Sequence, residues 1–203
     1  MELVILCIIS YFIGSLPFGY WIGKVFYGRD IRTEGSGNIG TTNTLRVLGP
    51  VAGVAVLLLD LFKGTLAGAL PTLLGMHHIN PFITGFFAII GHTFSIWLKF
   101  KGGKAVATSA GVLIAYNPFF FAVAVITLVV MLFLFSMMSV GSIMGFIMVT
   151  ATAAMFHDWV LTIIAGVLTI FVTYRHRANL KRVLQGNESL MHFGLYYWLT
   201  KRK

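Results

Sequence analysis

Carboxylates are scarce in this chain, with six Asp and Glu among 203 residues against fifteen Lys and Arg. They are Glu2, Asp30, Glu34, Asp60, Asp158 and Glu188, and no two stand at the close spacing of a carboxylate metal site. A Mg²⁺-dependent centre, such as one condensing nucleotide-activated lipids, is therefore disfavoured. Cys7 is the one cysteine, which removes both a disulfide framework and a thiol metal site. No Pro/Ser-rich linker, low-complexity tract or internal repeat divides the chain, so a single domain over residues 1–203 is expected. The start, Met1-Glu2 running into Leu3-Val4-Ile5-Leu6-Cys7, lacks the basic stretch and cleavage site of a signal peptide and reads as a retained first span.

What remains is apolar. Hydrophobic residues make up 58% and charged residues 10%, with a mean hydropathy of +0.88, so segments long enough to be helices lack the polar stripe that a water-facing helix needs. The expected fold class is all-α, a polytopic integral membrane protein. At about 20 apolar residues per crossing, the candidate spans are 2–26, 49–74, 80–98, 103–116, 118–137, 140–156 and 158–175. Gly28, Gly49-Pro50, Gly75, Asn80-Pro81, Gly102-Gly103, Asn117-Pro118 and Gly141 punctuate them.

The fourth span is short. Merging it with the fifth would change the parity and place Arg175-His176-Arg177 opposite the basic stretch 24–46, against the positive-inside rule. Kept separate, it gives about seven transmembrane helices and implies that Gly102-Gly103 dips below the interface. Irregular backbone there needs protein or a watery cavity to solvate it. Fourteen of the fifteen Lys and Arg fall within 24–46, 99–104, 175–182 and 201–203, and the intervening outer loops carry none. The topology that follows has the N-terminus outside and the C-terminus in the cytoplasm. The pairs Gly19/Gly23, Gly49/Gly53, Gly64/Gly68 and Gly141/Gly145 have the spacing that lets backbones approach closely.

Four cytoplasmic elements carry the chemistry. Gly35-Ser36-Gly37-Asn38-Ile39-Gly40-Thr41-Thr42-Asn43, followed by Arg46, offers backbone N–H groups, neutral side-chain donors and a planar guanidinium, which together suit an anion. Thr41 stands where a Walker loop needs Lys, so a nucleotide triphosphatase is not indicated; a flexible interfacial loop with capping Thr and Asn is the structural alternative. Lys99-Phe100-Lys101-Gly102-Gly103-Lys104 sits at a helix start, where free amides and the helix dipole favour phosphate. Lys99 and Lys101 also read as positive-inside anchors, and Lys104 is the candidate ligand. Ser139-Val140-Gly141-Ser142 is a weaker, uncharged signal that also suits an N-cap. In Arg175-His176-Arg177-Ala178-Asn179-Leu180-Lys181-Arg182, a continuous helix would place Arg175, Asn179 and Arg182 on one face.

Two polar features lie inside apolar spans. Asp60 and Lys63 are spaced to pair on one helix face, and a structural ion pair competes with a functional role in which Lys63 orients a loop residue. His92 suits a hydrogen-bonded core histidine or a general base. It lacks the acid four or five residues on that would complete a His-x₄-Asp dyad, since Ile96 and Trp97 stand there.

Taken together, Gly14-Ser15-Leu16-Pro17-Phe18-Gly19, the 35–49 segment, Gly91-His92-Thr93 through Lys101-Gly102-Gly103-Lys104, and Arg175-His176-Arg177-Ala178-Asn179 with Arg182 and Gly186-Asn187-Glu188 closely resemble the bacterial acyl-phosphate:glycerol-3-phosphate acyltransferase family. The likeness runs from about residue 10 to 190. One departure is Thr41, where the family favours Ala; it adds a donor. The resemblance implies a multi-pass enzyme of the bacterial plasma (inner) membrane, active toward the cytoplasm, that moves a fatty acyl group from acyl phosphate to the 1-hydroxyl of glycerol 3-phosphate. The product is lysophosphatidic acid, an early intermediate of phospholipid biosynthesis. Glycerol 3-phosphate, acyl phosphate and membrane lipids are the implied partners, with no nucleic acid, no cofactor and no metal.

An acyl phosphate is a mixed anhydride with a good leaving group, so holding two anions together matters more than a strong base. On this reading Ser36, Gly37, Asn38, Thr41, Asn43, Arg46, Gly102, Gly103 and Lys104 bind phosphate, while Ser142, His176 and Asn179, with Lys104, serve catalysis. A transporter for an anionic phosphorylated metabolite is the competing class, and a structural protein with a basic lipid-binding face a third. The polar residues gather at one face rather than the midplane, which opposes the transporter. The tail 185–203 would suit an interfacial helix or a disordered end.

Overall fold

A computed structural model describes residues 1–201, and among these every regular element is helical. The chain divides into two compact units, Met1–Pro118 and a second from Phe119 onward.

The first unit opens with α1 (Glu2–Ser15) and α2 (Phe18–Tyr27). The span expected over 2–26 is one apolar stretch, Glu2–Tyr27, with a helix break at Leu16-Pro17, where Pro17 has no N–H to continue the helical ladder. A short α3 (Thr41–Leu48) and the long α4 (Pro50–Leu73) follow. Then comes α5 (Pro81–Thr93), extended by a 3₁₀ turn at Ile96–Leu98. Its start is fixed by the Asn80 side chain, which accepts from the Phe82 amide at 2.8 Å, and by Pro81 in the first turn. Last is α6 (Val106–Tyr116), whose 11 residues reach only about 16 Å at 1.5 Å per residue.

Two helix pairs hold this unit together. In α4 and α6, a Cβ on Gly64 would overlap the Thr108 carbonyl, and one on Gly111 would overlap the Leu61 carbonyl. Glycine at both positions lets the backbones touch, and Thr65 bridges them by donating to the Gly111 carbonyl at 2.9 Å. Between α1 and α5, the Ser95 hydroxyl donates to the Ser15 carbonyl at 2.6 Å and Tyr11 donates to the Phe94 carbonyl at 2.8 Å. The Gly19/Gly23 pair seats backbone of the 29–39 loop rather than a second helix.

The second unit contains α7 (Pro118–Phe135), α8 (Met138–Met155), α9 (Trp159–Arg175), α10 (Arg177–Leu184) and α11 (Leu195–Lys201). Asp158 caps α9 by accepting from the Leu161 amide at 3.1 Å. The α9 and α10 axes meet at 61°. The tail is fastened to the α7–α8 turn: the Met191 amide donates to the Ser136 carbonyl at 2.7 Å and the Tyr197 amide to its hydroxyl at 3.1 Å. The described part of the tail is therefore ordered against this unit. Arg202 and Lys203 of the basic terminus lie outside the described residues.

Five helical stretches, Glu2–Tyr27, Pro50–Leu73, Pro81–Leu98, Pro118–Phe135 and Met138–Met155, are long and apolar enough to cross a membrane. Taken with α10 as one bent span, α9 makes a sixth, and α6 is the short helix that the sequence marks as a short crossing. The irregular 99–105 stretch has its glycine amides satisfied by the end of α5.

Candidate functional site

The 29–46 segment is a knitted structure rather than a flexible loop. Ile31 and Ile39 are buried with Leu98 of the 3₁₀ turn, and Tyr20, Val47 and Leu48 pack against them. Around this plug the charges pair locally. Arg29 bonds Glu34 and donates to the Val47 carbonyl at 2.7 Å, while Arg32 bonds Asp30 at 2.7 Å and stacks over Tyr20 at 4.3 Å. The Arg32 guanidinium hydrogen-bonded to Asp30 holds that carboxyl at about 2, against partial desolvation that pulls the other way.

Asn43 is the hub. Its side chain is 2% exposed. Its amide nitrogen shares its two hydrogens among the carbonyls of Ile31 (2.9 Å), Glu34 (3.1 Å) and Asn38 (2.9 Å), and its oxygen accepts from the Ser36 amide at 2.8 Å. Asn38 accepts from the Gly40 amide at 2.9 Å through its side-chain oxygen, while its amide nitrogen bonds no described residue. Asn43, read from the sequence as a phosphate donor, is therefore committed to the loop itself, and Asn38 is committed through its oxygen alone. Gly37 turns the chain with φ of 70°, a conformation that disfavours a side chain.

Three side chains of the expected set stay wholly uncommitted. Neither the exposed Ser36 hydroxyl nor the exposed Arg46 guanidinium makes a hydrogen bond or ion pair with any described residue, and the buried Thr41 hydroxyl has no partner among them. Thr41 begins α3, so its hydroxyl lies where first-turn amides have no intrahelical acceptor. Donors of this kind at a helix start, with a guanidinium one turn along, can hold an anion.

The Lys104 segment reaches this loop through Leu98, which shares the Ile31–Ile39 plug. Here the structure departs from the expected pattern of free amides. The Gly102 amide donates to the Thr93 carbonyl at 2.9 Å and the Gly103 amide to the His92 carbonyl at 3.1 Å. A Cβ on Gly103 would overlap the His92 ring, so glycine allows the turn to lie against it. Half-buried Lys104 follows directly, two residues before α6 begins. His92 stands in the last turn of α5 and meets the Thr108 hydroxyl at 3.1 Å through Nδ1.

In the second unit the centre is Glu188, 5% exposed at its side chain, a residue to which sequence reading gives no role. It accepts from Ser139 (2.9 Å), the Asn179 amide (2.6 Å) and Arg182 Nε (2.8 Å). A lone acid just after a basic helix was the available signal. The bend at His176 removes Arg175 from the face expected for a continuous helix, leaving Asn179 and Arg182, one turn apart on α10, to share Glu188. His176 is buried, and its Nδ1 lies 2.9 Å from the Val172 carbonyl. A carbonyl only accepts, so Nδ1 carries the proton and a neutral ring has its lone pair on Nε2. Ser142 donates back to the Met138 carbonyl at 2.7 Å.

An all-helical chain with five helical stretches long and apolar enough to cross a membrane belongs to the class of polytopic integral membrane proteins. Comparison with known proteins narrows this. A family model for glycerol-3-phosphate acyltransferase matches residues 4–186. The glycerol-3-phosphate acyltransferase of Limosilactobacillus reuteri is 52% identical over 203 residues, covering 100% of this chain and 97% of that protein. The crystal structure of PlsY, an integral membrane glycerol 3-phosphate acyltransferase, matches in its glycerol 3-phosphate form with a TM-score of 0.88 and 32% identity, over 94% of this chain and 96% of that one. Its lysophosphatidic acid form matches with a TM-score of 0.84 and 30% identity, over the same shares. The chain belongs to the glycerol-3-phosphate acyltransferase family.

Proposed function

We propose that this protein transfers a fatty acyl group from acyl phosphate to the 1-hydroxyl of glycerol 3-phosphate. The observation that carries the reading is membership of the acyltransferase family across nearly the whole chain, supported by a fold match to a relative solved with glycerol 3-phosphate. In the reaction the substrate O–H bond breaks and a new ester C–O bond forms. The anhydride C–O bond breaks with its electron pair, so inorganic phosphate leaves and lysophosphatidic acid remains. We place the enzyme in the bacterial inner membrane with seven crossings, the N-terminus outside and the active face toward the cytoplasm, the arrangement that puts all four basic stretches on one side.

In this reading Ser36, Thr41 and Arg46 contact phosphate directly, and Lys104 adds a point charge. Asn38 and Asn43 hold the loop that presents those donors, with Gly37 at its turn. Gly102 and Gly103 shape the Lys104 turn through their bonds to α5. Ser142, His176 and Asn179 position glycerol 3-phosphate or the acyl carbonyl. The hydroxyl proton ends on a phosphate, either transferred directly or through His176, whose Nε2 lone pair suits a relay.

The decisive assay supplies purified protein in detergent with acyl phosphate, glycerol 3-phosphate and a chelator. Lysophosphatidic acid should form without a closed vesicle. No ester product under these conditions would remove the acyltransferase reading. In His176→Ala, a normal rate would rule out the relay through His176, and a lost rate with unchanged substrate binding would support it.

A further inference from the structure

Beneath the Lys104 turn lies a buried polar chain that the acyl-transfer chemistry above does not use. Lys63 is 1% exposed, Asp60 2%, His92 4% and Thr108 0%. Ionised groups this far inside an apolar helix bundle are costly unless each has a partner. Lys63 is bonded on two sides, to Asp60 at 2.7 Å and to the Leu16 carbonyl at 2.9 Å. That carbonyl sits at the α1–α2 break, where Pro17 supplies no N–H. Asp60 faces the His92 ring as well, with its Oδ1 3.6 Å from Nδ1, and Thr108 of α6 meets the same nitrogen at 3.1 Å. The ring is thus gripped between α4 and α6. Its far edge is the surface against which Gly103 lies, and the backbone carbonyls of His92 and Thr93 accept from Gly103 and Gly102.

We propose that Asp60 and Lys63, together with Thr108, are positioning residues: by jointly fixing His92, they set the path of the Gly102–Gly103–Lys104 turn and so the place of the Lys104 ammonium. The inference rests on the acyltransferase reading for its substrates, though not for its geometry. Lys63 meets its need for partners through Asp60 and the helix break. Asp60 then has one carboxylate oxygen shared between Lys63 and the imidazole, which gives the ring a defined orientation between helices that the chain must bring together anyway.

A merely structural ion pair and a positioning pair differ in what their loss does to the kinetics. The double variant Asp60→Leu, Lys63→Met removes both charges and strands neither. If the pair only supports folding, fewer active molecules lower the apparent kcat and leave both KM values unchanged. If it positions Lys104, the KM for one of the two phosphate substrates rises about tenfold or more while kcat stays within about threefold, because a binding contact shared by ground and transition states is weakened. Unchanged KM values overturn the proposal. Should the double variant fail to fold, the near-isosteric Thr108→Val leaves the ion pair in place and removes the hydroxyl at His92 Nδ1. It should raise the same KM about threefold, and wild-type KM values for both substrates would overturn the proposal. Inorganic phosphate offers a readout independent of turnover. The rise in melting temperature that it gives the wild type should shrink in Thr108→Val, and an undiminished rise overturns the proposal. Absence of ester formation by the wild type would instead count against the acyltransferase reading alone.

Discussion

Replacing Asn43 with Ala tests whether the 31–40 loop is a preorganised anion cradle. The substitution removes four contacts made by a residue that is 2% exposed, equivalent to three full hydrogen bonds because the amide nitrogen has two hydrogens to share among three carbonyls. At a net value of about 0.5–1 kcal/mol each, with water able to reach part of the freed backbone, the ordered loop loses about 1.5–3 kcal/mol. At 1.4 kcal/mol per factor of ten, the population of the ordered loop falls by about 10- to 140-fold relative to its open forms. Hydrogen exchange reads this directly, because the Ser36 amide is bonded only through the Asn43 side-chain oxygen. Exchange across 31–40 should accelerate while exchange in α4 and α5 does not. The KM for a phosphate substrate should rise as the competent fraction falls. Asn43→Asp should be as damaging, since it sets a carboxylate against three carbonyls. If activity is lost while 31–40 keeps its wild-type protection, Asn43 touches substrate and the reasoning is wrong.

Other outcomes follow from the same geometry. The Arg46 side chain makes no hydrogen bond or ion pair with any described residue, so Arg46→Lys should leave the melting temperature unchanged and lower kcat/KM by about tenfold or more through loss of the planar fork; a comparable loss of stability would assign it a structural role. Glu188→Ala leaves the Ser139 hydroxyl and the Asn179 amide without their acceptor. Because Arg182 is 38% exposed, its share is discounted for solvent screening, and a total of about 2 kcal/mol corresponds to a melting point lower by roughly 4–8 °C. An unchanged melting point would refute that assignment. The Asp30 carboxyl titrates at about 2 rather than at its ordinary 3.8, so its stabilisation is complete above about pH 5 and is lost as pH falls through about 2. Loop protection should therefore be flat across neutral pH in the wild type. Asp30→Asn should lower it already at pH 7, and full wild-type protection in that variant would contradict the role given to the Arg32 pair.

The sequence marked helix limits well wherever Gly or Pro forced them, as at Gly49-Pro50, Asn80-Pro81 and Asn117-Pro118. It was less informative where one residue could serve two states. Pro17 within an apolar run is compatible with a kinked continuous span, and only the Leu16 carbonyl bonded by Lys63 shows that the break is stabilised from outside. The α3 helix was hidden because its Gly-rich approach and Thr-Thr-Asn start read equally well as loop. Asp60 and Lys63 were spaced to pair, and they do; that His92 would join them depends on how α5 and α6 pack, which no local pattern encodes.

For the candidate site, residue type was legible and occupancy was not. Asn38, Asn43, Gly102 and Gly103 have the right chemistry to hold phosphate, and every one of them has donors or acceptors turned toward the protein's own backbone. The reason is general to a polar loop beside a membrane: its carbonyls and amides must be satisfied locally before any donor can be left for a ligand. Direct contact with substrate is therefore best assigned to groups the fold leaves over. Of the residues expected at the site, those in the 31–46 segment whose side chains bond no described residue at all are Ser36, Thr41 and Arg46.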